Sequence, residues 1–185
     1  MSENTIRIEP ANSPSRRQML TGAAATLGVA AMSSALFGKT PQSMTEKQST
    51  GADAIRTSLH QEIDLKTSQG KIYEILLDSK QFAAFTGMPA DISRDPGGAF
   101  TMFGGMIVGR NVELVPKQRI VQAWRPTSWD SGIYSIVKFE LKGDASHTTL
   151  ILDHTGFPEG DYAHLDPGWH IRYWTPLEKY LEQNR

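Results

Sequence analysis

The strongest constraint on the fold is a change in the spacing of apolar residues at the turn sequence Asp95-Pro96-Gly97-Gly98. After this turn come five segments rich in β-branched and aromatic residues, each bounded by turn residues. These segments span residues 99–103, 106–115, 119–125, 134–141 and 148–155. Their succession predicts an antiparallel meander, in which each strand pairs with the next one along the chain.

The region before this turn is predicted to hold one strand and two short helices. Residues 59–65 (LHQEIDL) alternate between apolar and polar side chains, which predicts a first strand. Thr67 or Ser68 then caps a short helix whose apolar residues recur at helical spacing. Asp78 and Ser79 separate this helix from a second one.

The last element is predicted to be a long helix, with Asp166 as its N-cap and Pro167 at its first position. Pro176 is expected to kink this helix rather than end it, because the apolar stripe continues beyond it. The stripe consists of Trp169, Tyr173, Leu177 and Tyr180 or Leu181. Together these elements predict an α+β fold in which a curved antiparallel sheet wraps around a long C-terminal helix.

The N-terminal region carries the pattern of an export signal. A paired arginine in SRRQML (residues 15–20) runs into an uncharged, weakly hydrophobic stretch over residues 20–37. This pattern is typical of twin-arginine signals, which direct folded proteins through a translocon out of the bacterial cytoplasm. We therefore expect a periplasmic or otherwise exported protein. The alternative is a membrane anchor, which would require the signal to remain uncleaved.

Three regions follow from this pattern. Residues 1–37 are predicted to be the twin-arginine-type signal, residues 38–57 a flexible linker, and residues 58–185 a single domain. The linker is rich in Lys, Thr, Gln, Ser and Gly and has almost no apolar periodicity. The remaining length fits one domain of ordinary size, so no second domain is expected.

Composition excludes several classes of function. With 19 basic and 20 acidic residues, the net charge of −1 gives no basis for binding nucleic acid. The absence of cysteine excludes disulfides, thiolate nucleophiles and Cys-ligated zinc. None of the five histidines belongs to a zinc motif, so neither a metal nor a cofactor is predicted. Gly104 and Gly109 have the spacing of a phosphate loop, but Arg110 and Asn111 replace its Lys and Ser or Thr, which favours a hairpin.

Several specific motifs occur between residues 63 and 181. They are the glycine turn with Phe100, the Gly109 strand, Trp124-Arg125 with Trp129, Gly156-Phe157-Pro158 and Gly168-Trp169. With these motifs the sequence resembles the C-terminal domain of the activator of the heat-shock protein 90 ATPase. This family lies within the START-like, helix-grip superfamily, which includes polyketide cyclases and lipid-transfer proteins. The resemblance implies a groove between the sheet and the terminal helix, used for apolar ligands or for a protein client.

Two departures from the eukaryotic activators limit what the resemblance implies. Those proteins hold the chaperone through a large N-terminal domain, which we expect this chain to lack, and they are cytosolic rather than exported. The family supplies no catalytic motif in the matching domain. No catalytic residue is therefore transferred to this sequence.

Among the candidate residues, His154 is the one best suited to acid–base chemistry. In an alternating strand it shares a face with Leu150 and Leu152, so the imidazole is expected to point inward. It could relay protons, but we favour a structural role in which it hydrogen-bonds the terminal helix or a backbone carbonyl. Arg94, Arg110 and Arg125 could each orient an anionic head group, although such residues usually form the solvated rim. The candidate ligand-binding residues are Phe100, Arg110, Trp124, Tyr134, His154, Trp169 and Tyr173.

Three hypotheses for function remain open. The first is a non-enzymatic domain that holds an apolar or amphipathic small molecule between the sheet and the terminal helix. The second is a cyclase or dehydratase that uses His154 and a nearby carboxylate as acid and base. The third is a protein-interaction module that acts on folding clients. A cavity of ~300 Å³ or more with a few converging polar groups would favour the first.

Overall fold

The structure, a computed structural model, describes residues 55–184. The predicted export signal and residues 38–54 of the predicted linker lie outside the described residues. Seven strands are present, namely β1 Ser58–Leu65, β2 Asp91–Ile92, β3 Ala99–Met102, β4 Ile107–Val115, β5 Arg119–Pro126, β6 Ser135–Gly143 and β7 Thr148–Thr155. The α-helices are α1 Gln69–Leu77, α2 Ser79–Thr86, α3 Tyr162–Trp169 and α4 Thr175–Gln183.

All seven strands form one antiparallel sheet with the order β1-β7-β6-β5-β4-β3-β2. Strands β2 to β7 follow one another as a meander, and β1 pairs with β7 at the opposite end of the chain. The register places Leu59 opposite His154 and Leu65 opposite Thr148. The sheet is curved and carries the C-terminal helix, so the α+β, helix-grip prediction is confirmed.

The two short helices start at side-chain caps. The Ser68 hydroxyl accepts a hydrogen bond from the backbone N–H of Lys71 at 3.3 Å and begins α1. Asp78 begins α2 in the same way, because its carboxylate accepts hydrogen bonds from the N–H groups of Lys80 and Gln81. These helices bury their apolar residues in the core that the sheet and the C-terminal helix share.

The C-terminal helix, residues 162–183, begins one turn earlier than the sequence predicted. Its first residue is Tyr162, and Pro167 lies inside α3 rather than at its start. Asp166 is therefore not the N-cap; it instead accepts a hydrogen bond from Gln61 at 2.8 Å. Tyr162 and Leu165 pack partly buried against the core, which stabilises this extra turn although it carries only two apolar residues.

A wide π-helical segment, His170–Trp174, interrupts the C-terminal helix without ending it. Here the N–H of Thr175 donates to the carbonyl of His170, five residues back. Pro176 follows directly, and a proline ring clashes with the carbonyl four residues before it in a regular helix. The wide turn gives that ring space, and it allows the adjacent Tyr173 and Trp174 both to be buried. The apolar stripe continues past Pro176, as predicted.

Candidate functional site

A cavity of about 300 Å³ lies between the start of β4, the end of β5 and the C-terminal helix. Its polar lining residues are Thr127, Ser128, His164 and Arg172. Its walls are mainly apolar and aromatic and include Phe103, Ile107, Trp124, Leu165, Trp169 and Tyr173. This is the position of the groove that the sequence resemblance implied.

Phe103 forms one wall of the cavity from a backbone conformation that is rare for its residue type. Its φ is 54°, and Gly104 and Gly105 continue the left-handed stretch with φ of 66° and 91°. A bulky residue with positive φ costs on the order of 1–3 kcal/mol and persists only where packing compensates. Here the ring packs edge-on against Phe82 and Tyr173, with centroids 5.4 and 5.3 Å apart. Packing therefore holds this strained residue in place as part of the aromatic wall.

The wall continues from Phe103 through Tyr173 into a cluster of aromatic rings from β5 and the C-terminal helix. The Trp124 and Trp169 rings lie 5.8 Å apart between centroids, and Trp169 and Tyr173 lie 4.4 Å apart. Such aromatic pairs contribute about 0.5–1.5 kcal/mol each beyond the area they bury. The cavity is thus lined by a continuous cluster of packed aromatic rings.

Two polar atoms interrupt this apolar wall. The indole N–H of Trp124 is buried and has no hydrogen-bond partner in the part of the chain that the structure describes. Burial raises the pKa of the Tyr173 hydroxyl far above its usual value, and the nearby Trp124 N–H opposes this only in part. That hydroxyl donates a long, weak hydrogen bond to Met102 Sδ at 3.7 Å and keeps its acceptor lone pairs. A donor and an acceptor therefore remain at the wall of the cavity.

His154 lies behind this wall in a fully buried hydrogen-bond chain. The indole N–H of Trp169 donates to His154 Nδ1 at 3.2 Å, so the proton of the neutral ring must sit on Nε2. Nε2 then donates to the Ser135 hydroxyl at 2.7 Å, which donates to the carbonyl of Trp124 at 3.0 Å. Burial lowers the pKa of His154 to about 3. The imidazole is neutral at ordinary pH and joins the sheet to the C-terminal helix.

Three of the seven predicted site residues meet at the cavity: Trp124, Trp169 and Tyr173. His154 does not line the cavity, and Ser135 and Trp169 already occupy both of its ring nitrogens. Phe100 is buried in the core with its ring over Gly109, where a Cβ would lie 2.4 Å from the ring.

Arg110 and Tyr134 are both exposed and lie outside the cavity lining. Tyr134 precedes β6, which begins at Ser135 rather than at residue 134 as predicted. Its ring lies 5.7 Å from the guanidinium of Arg125. The other arginine that the sequence singled out, Arg94, forms an ion pair with Glu74. These residues therefore belong to the outer surface of the domain.

Sequence reasoning missed the residues at the mouth of the cavity. His164, Gly168 and Arg172 recur every four residues, which places them on one face of the C-terminal helix. This spacing was visible in the sequence, but the predicted start at Asp166 left His164 outside the helix. Gln61 was missed as well. Its side-chain amide donates to Asp166 and its oxygen accepts from the Trp174 indole at 2.6 Å, which ties β1 to the helix.

Within residues 55–184, no three His, Asp or Glu side chains come together as a metal site would require. No helix in that range has the length and apolar character needed to span a bilayer.

Comparison with known proteins identifies the family. Residues 66–182 match the family model described as "Activator of Hsp90 ATPase homolog 1-like protein". The chain belongs to this family. It is 28% identical over 113 residues to the human activator of 90 kDa heat shock protein ATPase homolog 1, covering 61% of this chain and 33% of that protein. The Dictyostelium discoideum homolog is 28% identical over 138 residues, covering 74% of this chain and 34% of that protein.

Solved structures share the fold. An HSP90 activator from Plasmodium falciparum superposes with a TM-score of 0.66 at 23% identity, covering 69% of this chain and 97% of that one. CalU16 from Micromonospora echinospora gives a TM-score of 0.59 at 17% identity, covering 67% of this chain and 75% of that one. The chain spans about a third of the length of the curated relatives it matches.

Proposed function

We propose that this member of the Hsp90 activator homolog 1-like family is an exported, non-enzymatic domain that binds an apolar or amphipathic small molecule. The molecule lies in the cavity between the sheet and the C-terminal helix. The observation that carries this proposal is the cavity of about 300 Å³ with aromatic walls. Ligand sites have volumes of ~300–1,000 Å³ and are mainly apolar with a few convergent polar groups.

The size of the cavity limits its occupant. An apolar cavity of ~150 Å³ holds one benzene molecule, so about twice that volume accommodates two fused rings. The flat faces of Trp124 and Trp169 favour a flat ligand, because aromatic rings pack best in offset or edge-to-face arrangements.

The cavity supports binding better than catalysis by the predicted acid–base pair. His154 is buried outside the lining, and both of its nitrogens already have partners. The cavity lining contains no carboxylate that could act with it. A cyclase or dehydratase built on His154 would need a substrate to reach the imidazole through Trp124 and Trp169.

Ligand binding can be tested by closing the cavity. We expect the full chain to bind a member of a panel of bicyclic aromatic compounds, with a change in tryptophan fluorescence and a mass shift in native mass spectrometry. Gly168→Leu should abolish binding, because a side chain at this position extends into open space at the cavity. Ala163→Leu places the same side chain on the exposed face of the same helix and should leave binding unchanged. Binding that survives Gly168→Leu would exclude this cavity as the site.

A protein partner is the second candidate, favoured by family membership. The relatives are named as activators of the 90 kDa heat shock protein ATPase, and three exposed apolar residues, Ile133, Tyr134 and Ile136, cluster at the start of β6. We expect such a partner to bind there. Stimulation of a purified Hsp90 ATPase by the full chain, lost in Ile136→Lys and kept in Ile171→Lys, would support it. An unchanged ATPase rate would reject it.

Export through the twin-arginine pathway is part of the proposal and has its own test. It is supported by the arginine pair at positions 16 and 17 ahead of an uncharged stretch. Expressed as the full chain in a bacterium with this pathway, the protein should appear in the periplasmic fraction. Replacement of both arginines by lysine should retain it in the cytoplasm. A double variant that is still exported would contradict the twin-arginine assignment.

A further inference from the structure

Arg172 stands at the mouth of the cavity without a counter-ion. Its side chain is exposed, and among residues 55–184 it makes no ion pair or hydrogen bond. Arg94 and Arg119, by contrast, are paired with Glu74 and Glu113. No acidic side chain lines the cavity. The positive charge at the mouth is therefore not neutralised by the residues around it.

Gly168 leaves open space beside Arg172, through which a ligand can reach the guanidinium. It lies one helical turn from Arg172 and one from His164, and a Cβ at this position would meet no atom within 4 Å. Its backbone is helical, so no unusual dihedral angle requires glycine here. Glycine inside a helix costs roughly 0.5–1 kcal/mol relative to alanine. What it provides is an entrance between His164 and Arg172.

The opposite side of the mouth is polar as well. The Thr127 hydroxyl donates to the Met106 carbonyl at 3.2 Å, whereas the exposed Ser128 hydroxyl has no partner in the described part of the chain. The cavity is thus apolar at depth, with hydroxyl, imidazole and guanidinium groups at its rim. This arrangement suits a molecule with an apolar body and one polar end.

We propose that the ligand is an aromatic or apolar anion whose negatively charged oxygens bind Arg172, while its body lies in the cavity against Trp124 and Trp169. This inference rests on the proposed ligand-binding function and names the class of ligand. A guanidinium binds carboxylate, sulfonate or phosphate oxygens through paired N–H donors. A cationic ligand would meet Arg172 without any carboxylate to hold it. His164 and Ser128 supply further donors on either side of the anionic group.

The decisive experiment compares two ligands of the same shape and different charge. Calorimetric titration of the full chain with 2-naphthoate and with 2-naphthamide measures the contribution of the charge alone. We expect naphthoate to bind at least tenfold more tightly than the amide. This preference should weaken as salt is added, because Arg172 is exposed to solvent.

Two variants assign the preference to Arg172. Arg172→Gln should reduce naphthoate affinity at least tenfold and leave naphthamide affinity unchanged. Arg110→Gln removes an equally exposed charge away from the cavity and should change neither. Equal affinity for the two ligands, or a full preference for naphthoate in Arg172→Gln, would overturn the anion assignment while leaving the cavity as a binding site. Absence of binding by both ligands up to millimolar concentrations would overturn both proposals.

Discussion

The indole N–H of Trp169 donates a hydrogen bond to Nδ1 of His154, and this bond joins the C-terminal helix to β7. It exists only while Nδ1 is unprotonated, because an indole can donate but cannot accept. The position of the helix over the sheet is therefore linked to the charge of one buried imidazole.

Acid should destabilise the domain through His154. Its pKa is about 3 in the folded chain, against ~6.5 when unfolded. Between these values the unfolded chain binds the extra proton, so the stability that His154 contributes falls as pH falls through this window. The expected slope is about 1.4 kcal/mol per pH unit. Urea unfolding at pH 6 and pH 4 should show that His154→Phe is less stable at pH 6 but loses less stability on acidification.

His60 provides a control of opposite sign. Hydrogen bonds with Asp153 and Glu62 raise its pKa, so its contribution is present below the unfolded pKa and is lost as pH rises through the folded one. The ring is 56% exposed, which keeps the effect small. His60→Gln should therefore leave the acid slope of the wild type nearly unchanged. If the unfolding free energy of His154→Phe fell with decreasing pH as steeply as that of the wild type, His154 would not be the source of the acid sensitivity.

Gln61 should be as important to stability as an apolar core residue. Replacement by leucine removes the partner of the Trp174 N–H and of two Asp166 acceptors, its backbone carbonyl and its carboxylate. Each buried group left unpaired costs ~1–3 kcal/mol, so Gln61→Leu should lower the unfolding free energy by roughly 2–4 kcal/mol. Gln118→Leu, at an exposed position, should change it by less than about 0.5 kcal/mol. Equal effects of the two substitutions in denaturant titrations would refute this role.

Gly109 should not tolerate any side chain. A Cβ on this residue would lie 2.1 Å from the carbonyl oxygen of Ala123 and 2.4 Å from the Phe100 ring. The first contact is with paired backbone, so the strands would have to separate, and we expect Gly109→Ala to cost more than about 3 kcal/mol. Gly70→Ala meets only ordinary contacts with the Lys117 side chain and should be neutral or stabilising. Thermal unfolding of both variants measures the difference.

Gly168→Ala should separate stability from binding. Alanine fits without contact and improves helix propensity, so the domain should gain about 0.5–1 kcal/mol. The added methyl group narrows the entrance to the cavity and should weaken the binding of bicyclic ligands. Unfolding and titration experiments on one preparation test both effects. A variant that becomes less stable would show that Gly168 serves the packing of the helix instead.

Local patterns predicted the strands well. The segments at 119–125 and 148–155 agree with β5 and β7 within one residue, because alternation with a period of two is a local property of the chain. The predicted start of the C-terminal helix at Asp166 was wrong, because Asp166 followed by Pro167 has the sequence pattern of a helix start. The helical turn before these two residues forms because Tyr162 and Leu165 pack against the core. That contact is tertiary and cannot be predicted from local sequence spacing.

The candidate site was predicted only in part. Trp124, Trp169 and Tyr173 followed from the richness of the sequence in aromatic residues. Phe100 and His154 also point into the core, but neither lines the cavity. Phe100 fills the space above Gly109, and His154 lies behind Trp124 and Trp169. Alternation tells which face a side chain occupies but gives no depth within the core.

By itself, the sequence determined the class of the fold, because periodicity and turn residues act over a few neighbouring positions. It also determined that a strip of aromatic residues must be covered by the sheet. Only the tertiary structure decided where the packing stays incomplete. The cavity exists because the left-handed Phe103 meets Gly168 and the π turn from a distant part of the chain, and their separation in space is set by packing rather than by sequence spacing.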